Sequence, residues 1–298
     1  MHSDRKGFLA LYGKIALLSF NGLFAKLIPM DATTISQLRS VVAFIGLLLF
    51  CWLQGSNWRL GNWRQGAGVY ALGVLLALHW VTYFHAMQVS TVAIGMLALF
   101  SYPVIAILLE PWIAAHGQRL KFTDLLAGVL VLLGLTVMVW EELSTSFGGP
   151  VLMGCFWGVL SALLFAVRNL LLKHRYSHVA SSKLILHQVL AVALVLLPFM
   201  DFQSLPQMTG QHWLLLLMLG LLTTAGAHTL LAVSLKRLPV KTVSIIGCSQ
   251  PVLGAVVAWL VLGESASIWV IAGGAIILGV AVYEILQHGR RSERLAPD

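Results

Sequence analysis

Charge is the scarcest ingredient of this sequence: Asp, Glu, Lys and Arg together make up 10% of 298 residues, where soluble domains carry about a quarter. Apolar residues reach 59% and the mean hydropathy is +0.88, more than a soluble fold of this length buries. That excludes an ordinary water-soluble domain. Cysteine is nearly missing as well. Cys51, Cys155 and Cys248 lie far apart in apolar stretches, with no CxxC or other metal-ligand spacing, so they read as small packing residues and no metal site is expected. Catalytic signatures are also lacking: there is no HExxH, no GxSxG and no close acid pair, which leaves little for an intramembrane enzyme. Without a nucleotide-binding motif, ATP drive and any bound cofactor are not expected. The net charge of +8 does not imply a nucleic-acid partner, because the basic residues sit in short connections between apolar runs.

What is present is a succession of apolar segments, each about the 20 residues that cross a bilayer core. The candidate spans are 7–28, 33–54, 65–87, 89–114, 122–140, 149–172, 181–200, 212–235, 240–262 and 267–287. The first is read as an uncleaved span, since Lys14 and Lys26 interrupt it and no small-x-small cleavage site follows. Alternate connections, starting from the N-terminus, hold 15 of the 19 basic residues, among them Arg59, Arg64, Lys173, Lys236 and Arg290, while the opposite set holds none. Positive charge resists translocation, so both termini are expected in the cytoplasm, in a multi-pass protein of the cell inner (plasma) membrane.

The chain repeats itself. Pro103-Val104-Ile105-Ala106, then Gly117-Gln118, Gly128 and Gly134, reappear as Pro251-Val252-Leu253-Gly254, then Gly263-Glu264, Gly273 and Gly279. Each copy contains five spans, an odd number, so the second enters the membrane inverted. The expected fold is therefore an all-α membrane protein of ten transmembrane helices in two inverted five-helix repeats, 1–145 and 146–298. Two such halves rocking about a central site would provide alternating access.

Ser249-Gln250-Pro251-Val252, Leu262-Gly263-Glu264, Gly273 and Gly279, together with Arg39 in the second span and the segments His79 to Phe84, Val89 to Gly95 and Tyr102-Pro103, resemble the EamA-type branch of the drug/metabolite transporter superfamily. The resemblance covers nearly the whole chain. It implies ten helices around a central cavity and export of amino acids, other metabolites or drugs. Gly117-Gln118 departs from the family's usual Gly-Glu, so the role of that acid does not carry over to the first repeat.

Polar groups at membrane depth each need an explanation. Lys14 and Lys26 lie near opposite ends of the first span, where snorkelling accounts for them; Lys26 and its inverted counterpart Arg168 could instead guard the two mouths of a cavity. Arg39 offers a fork for a carboxylate or for exposed carbonyls. Glu110, followed by Pro111, reads as the one acid clearly within a span, a candidate for proton coupling or a partner for Arg168 or Lys14. His79, with Trp80 beside it and Tyr83 one turn on, forms an aromatic and imidazole wall suited to an organic substrate, or plain core packing. Asn21, Ser101, Tyr102, Thr224, His228, Ser249 and Gln250 complete the substrate-binding candidates near the midplane. Pro103 and Pro251 are expected to break their helices at matching depth. The partners implied are a small-molecule substrate and the bilayer, with the chain a monomer or homodimer. With four basic residues and one acid inside the spans, a carboxylate-bearing substrate such as an amino acid is favoured; a channel-like pore and an intramembrane enzyme are the alternatives.

Overall fold

The computed structural model describes residues 2–90, 92–114, 122–145, 148–262 and 267–294; the repeated Gly117-Gln118 and Gly263-Glu264 lie outside them. Among the described residues there is no strand. The helices are α1 (His2–Leu18), α2 (Asn21–Leu27), α3 (Ala32–Leu53), α4 (Trp63–Val89), α5 (Val92–Leu99), α6 (Tyr102–Ile113), α7 (Phe122–Met138), α8 (Trp140–Thr145), α9 (Gly149–Arg175), α10 (Ser181–Leu196), α11 (Gly210–Met218), α12 (Ala227–Arg237), α13 (Val240–Gly247), α14 (Gln250–Leu262) and α15 (Ile268–Arg294). A π-helical segment, Leu219–Gly226, joins α11 to α12.

Five continuous stretches are long and apolar enough to cross a bilayer: Ala32–Leu53, Trp63–Val89, Gly149–Arg175, Ser181–Phe199 and Gly210–Arg237. Shorter apolar helices, including Tyr102–Ile113 and Leu125–Met138, accompany them. The protein is polar inside and greasy outside. Leu49, Leu133, Phe156, Leu217 and Leu260 are exposed, whereas Lys14, Arg39, Arg168, His79, His228 and Glu284 are buried. In water that arrangement would be unstable; against lipid tails it is the favourable one, because hydrocarbon solvates leucine and not ammonium.

Side-chain chemistry fixes where helices start. Asp31 Oδ1 accepts from the amides of Thr33 at 2.8 Å and Thr34 at 3.0 Å, so this acid, at the start of α3, satisfies otherwise orphaned donors. Asn62 does the same for α4 by accepting from Gln65 N at 2.8 Å.

Both repeated prolines stand in the first turn of a new helix, directly after a break. Between α5 and α6 the amide of Ser101 bonds back to Ala98 O at 3.2 Å, and between α13 and α14 the amide of Ser249 bonds back to Ile246 O at 3.0 Å. The two tightened turns occupy corresponding places relative to Pro103 and Pro251. A third break, at Ser19 and Phe20, separates α1 from α2.

The packing has a matching symmetry. Extensive contacts join α4 with α9 and α1 with α12, α10 with α4 and α3 with the π-helical segment, and α3 with α10 and α7 with α15. Exchanging the first five predicted spans for the last five maps these six pairs onto one another, whereas the extensive packing of α9 on α5 and α6 has only a sparse counterpart in α1 with α14 and α13. Glycine permits the closest approaches: a methyl group on Gly134 of α7 would stand 3.0 Å from Gly273 O of α15 and 2.9 Å from Ile277. Gly154 and Gly158, at the spacing that marks close helix contact, lie against Ser90 and Ala98 with no room for a side chain.

Candidate functional site

The breaks converge on one cavity. Its free space is narrow, about 40 Å³, and it is lined by Lys14, Leu18, Asn21, Arg39, His79, Trp80, Tyr83, Leu99, Phe100, Tyr102, Phe165, His228 and Gln250. All of these residues are buried. That volume holds a few water molecules, so an organic substrate requires the walls to part. Its wall draws on α1, α2, α3, α4, α5, α6, α9, α12 and α14, and so on both halves of the sequence.

Arg39 dominates one side. Its Nε donates to Thr224 Oγ1 at 2.8 Å, and its Cζ stands 4.3 Å above the Trp80 ring and 5.5 Å from that of Phe84. Stacking and the single hydrogen bond fix the guanidinium plane, while Nη2 is buried without a partner. The π-helical segment explains the geometry of Thr224. Within it Leu219 O accepts from both Thr223 Oγ1 at 2.9 Å and Thr224 Oγ1 at 2.8 Å. Thr224 thereby spends its proton on the backbone and offers a lone pair to Arg39.

Lys14 marks the other cation. Its Nζ donates to Gln250 Oε1 at 3.3 Å, and the Gln250 amide nitrogen in turn donates to Leu18 O at 3.3 Å. The snorkelling expected of Lys14 does not occur: the side chain is 2% exposed and turns inward. The reason is the break after α1, which brings Leu18, Ser19 and the start of α14 together and supplies polar atoms to an ammonium that lipid could not solvate.

Aromatic rings connect the two. Tyr102 and Phe165 lie 5.0 Å apart, Phe165 and His79 4.6 Å, and His79 and Tyr83 6.2 Å, with Trp80 at 5.2 Å from His228. His79 Nδ1 is 2.7 Å from Ser161 Oγ, which itself donates to His79 O at 2.9 Å. Because that hydroxyl has one proton, Nδ1 must donate, and in the neutral ring Nε2 is left as an acceptor. Tyr102 Oη donates to Ser244 O at 3.0 Å, fastening α6 to α13. Among the described residues, the buried Asn21 Oδ1, Tyr83 Oη and His228 Nδ1 find no hydrogen-bond partner. Together with Arg39 Nη2 they are four polar atoms in the cavity wall that protein groups leave unsatisfied, a costly state unless something else fills it.

Of the residues singled out in the sequence, the structure gathers Asn21, Arg39, His79, Trp80, Tyr83, Tyr102, His228 and Gln250 around the cavity. Thr224 stands behind Arg39. Ser101 and Ser249 do not line the cavity; Ser101 Oγ donates to Ala98 O at 2.8 Å, patching the break. Glu110 lies elsewhere and meets neither Arg168 nor Lys14, because its Oε1 pairs with His174 Nε2 at 3.0 Å, near the end of α9. Arg168 is fully buried yet also off the cavity, held by Gln188 Oε1 at 2.6 Å and 3.0 Å and by Asn169 Oδ1 at 3.0 Å. The side chain of Lys26 lies outside the described residues.

Lys14, Leu18, Leu99, Phe100 and Phe165 were not anticipated as lining. The spacing of Lys14, Leu18 and Asn21, four and then three residues, puts them on one helical face and was the available signal. Glu110 is also not the one acid within a span. Glu284 of α15 is 2% exposed and pairs with Lys241 at 2.9 Å, while its other oxygen accepts from Thr242 Oγ1 at 2.8 Å.

The EamA-like transporter family model matches residues 5–140 and again 152–284. The chain belongs to the EamA-like transporter family. Two copies of one family unit in tandem account for the repeated proline and glycine pattern. Similar chains include the uncharacterized transporter YxxF of Bacillus subtilis, 25% identical over 81% of this chain and 78% of its own length. An uncharacterized transporter of Archaeoglobus fulgidus is 25% identical over 92% of this chain and 94% of its own. A solved crystal structure superposes with a TM-score of 0.81 at 19% identity, covering 96% of this chain and 98% of the other; that likeness speaks for the fold alone. As an EamA-like family member with several apolar helices, the chain is a multi-pass membrane protein that transports small molecules.

Proposed function

We propose that this protein is a secondary transporter, an exporter or facilitator, that carries a small carboxylate-bearing organic metabolite across the cell inner membrane by alternating access. One observation carries the reading: a cavity built from both halves of the chain presents two cations, Lys14 and Arg39, and four unpartnered polar atoms, with no carboxylate among its lining residues. A carboxylate between them would meet the guanidinium of Arg39 and satisfy donors that the protein leaves open.

In this reading the chain crosses the membrane ten times, as two inverted five-helix halves over 1–145 and 146–298, with both termini in the cytoplasm. The exchange pattern of six major helix pairs supports a two-fold relation between the halves, which an odd number of spans in each makes an inversion, and the absence of Lys and Arg from alternate connections supports the orientation. The breaks before Pro103 and Pro251 place bent helices from each half beside the cavity, the arrangement through which one half rocks on the other. Arg168 and Lys26 are assigned to the closures on either side of it, and Glu110 to coupling with protons.

Purified protein in liposomes tests this. Saturable uptake of a labelled carboxylate, accelerated by unlabelled substrate on the far side, is the expected result. Flux that rises linearly with concentration and ignores the far side would make it a pore.

A further inference from the structure

We infer that the substrate is an organic anion with no ammonium group, an unaminated acid whose apolar body lies on the ring wall; this rests on the transport reading and narrows it. The charges in and around the cavity are of one sign. Lys14 and Arg39 line it, and among the described residues neither forms an ion pair. A third cation, Arg168, lies one turn beyond the lining residue Phe165 on α9 and is held only by the neutral amides of Gln188 and Asn169.

An amino acid would bring a fourth positive charge into this enclosure. No lining carboxylate receives it, and the neutral acceptors, such as Asn21 Oδ1, offer a dipole where a charge is needed. The strongest cation-binding ring is taken as well, since Arg39 already covers the Trp80 indole at 4.3 Å. A dehydrated carboxylate meets the opposite situation: every cation in reach lacks a counter-charge. The rings that run from Tyr102 through Phe165 and His79 to Tyr83 supply an apolar surface for the rest of the molecule.

The test compares acids that differ only by the amino group, measured by titration calorimetry on the full-length protein in detergent: 3-phenylpropionate against phenylalanine, and succinate against aspartate. The unaminated member of at least one pair should bind about tenfold tighter than its aminated partner. Gln250→Glu, which sets a carboxylate against Lys14, should reduce that ratio about fivefold or more, at unchanged folding. Where an unaminated acid binds, its aminated partner binding as tightly overturns the inference, and so does binding by neither unaminated acid at millimolar concentration. Saturable counterflow of an amino acid would leave the carrier reading in place and overturn this one alone.

Discussion

Arg39 on α3 donates to Thr224 in the π-helical segment at 2.8 Å, a bond that joins two distant parts of the chain at the wall of the cavity. Among the described residues it is the one hydrogen bond from a buried guanidinium that otherwise rests on Trp80 and Phe84. The orientation of Arg39 therefore depends on a hydroxyl that has already given its proton to Leu219 O.

Thr224→Val keeps the shape and removes the acceptor. A hydrogen bond to a charged group is worth about 1.5–3 kcal/mol, so substrate affinity should fall about tenfold or more and the melting temperature should drop. Thr224→Ser keeps the lone pair and should stay within about twofold of the parent in substrate affinity. Titration of both variants with the same acid checks the pair.

Lys241 and Glu284 tie α13 to α15 with an ion pair whose carboxylate is nearly inaccessible. Glu284→Gln removes the carboxylate that faces the Lys241 ammonium in a partly buried setting, and the loss of stability should be about 3 kcal/mol. Replacing both, as Lys241→Met with Glu284→Leu, should recover most of it, because the desolvation cost disappears with the charges. Thermal unfolding in detergent of the single and double variants measures the difference.

Glu110 lies off the cavity and meets His174 of α9, so its substitution bears on that contact and not on the substrate. Glu110→Gln should flatten the pH dependence of transport while leaving KM within about twofold. An unchanged pH profile would remove Glu110 from proton coupling.

Some of this architecture was legible in the sequence and some was not. Pro103 and Pro251 announce their breaks because a ring in place of an amide proton is a local property, and His79 with Trp80 and Tyr83 share a face by spacing alone. The inward turn of Lys14 depends on Gln250, 236 residues away, and no periodicity reports such a partner. Thr224 meets Arg39 because the helix holds a π turn, which shifts side chains off the ordinary α-helical register. Glu284 escaped notice because it stands three residues from the end of the candidate span 267–287; it is buried against Lys241 on another helix.

The most direct measurement concerns Leu99, which lines the cavity at the end of α5, immediately before a break. Leu99→Cys, in a background where Cys51, Cys155 and Cys248 are replaced by alanine, introduces one thiol into the cavity wall. Alternating access predicts that membrane-impermeant thiol reagents modify it from either side of the membrane, and that a transported acid slows both reactions. Modification from one side only, or at a rate indifferent to substrate, would contradict a single central site opened in turn to the two faces.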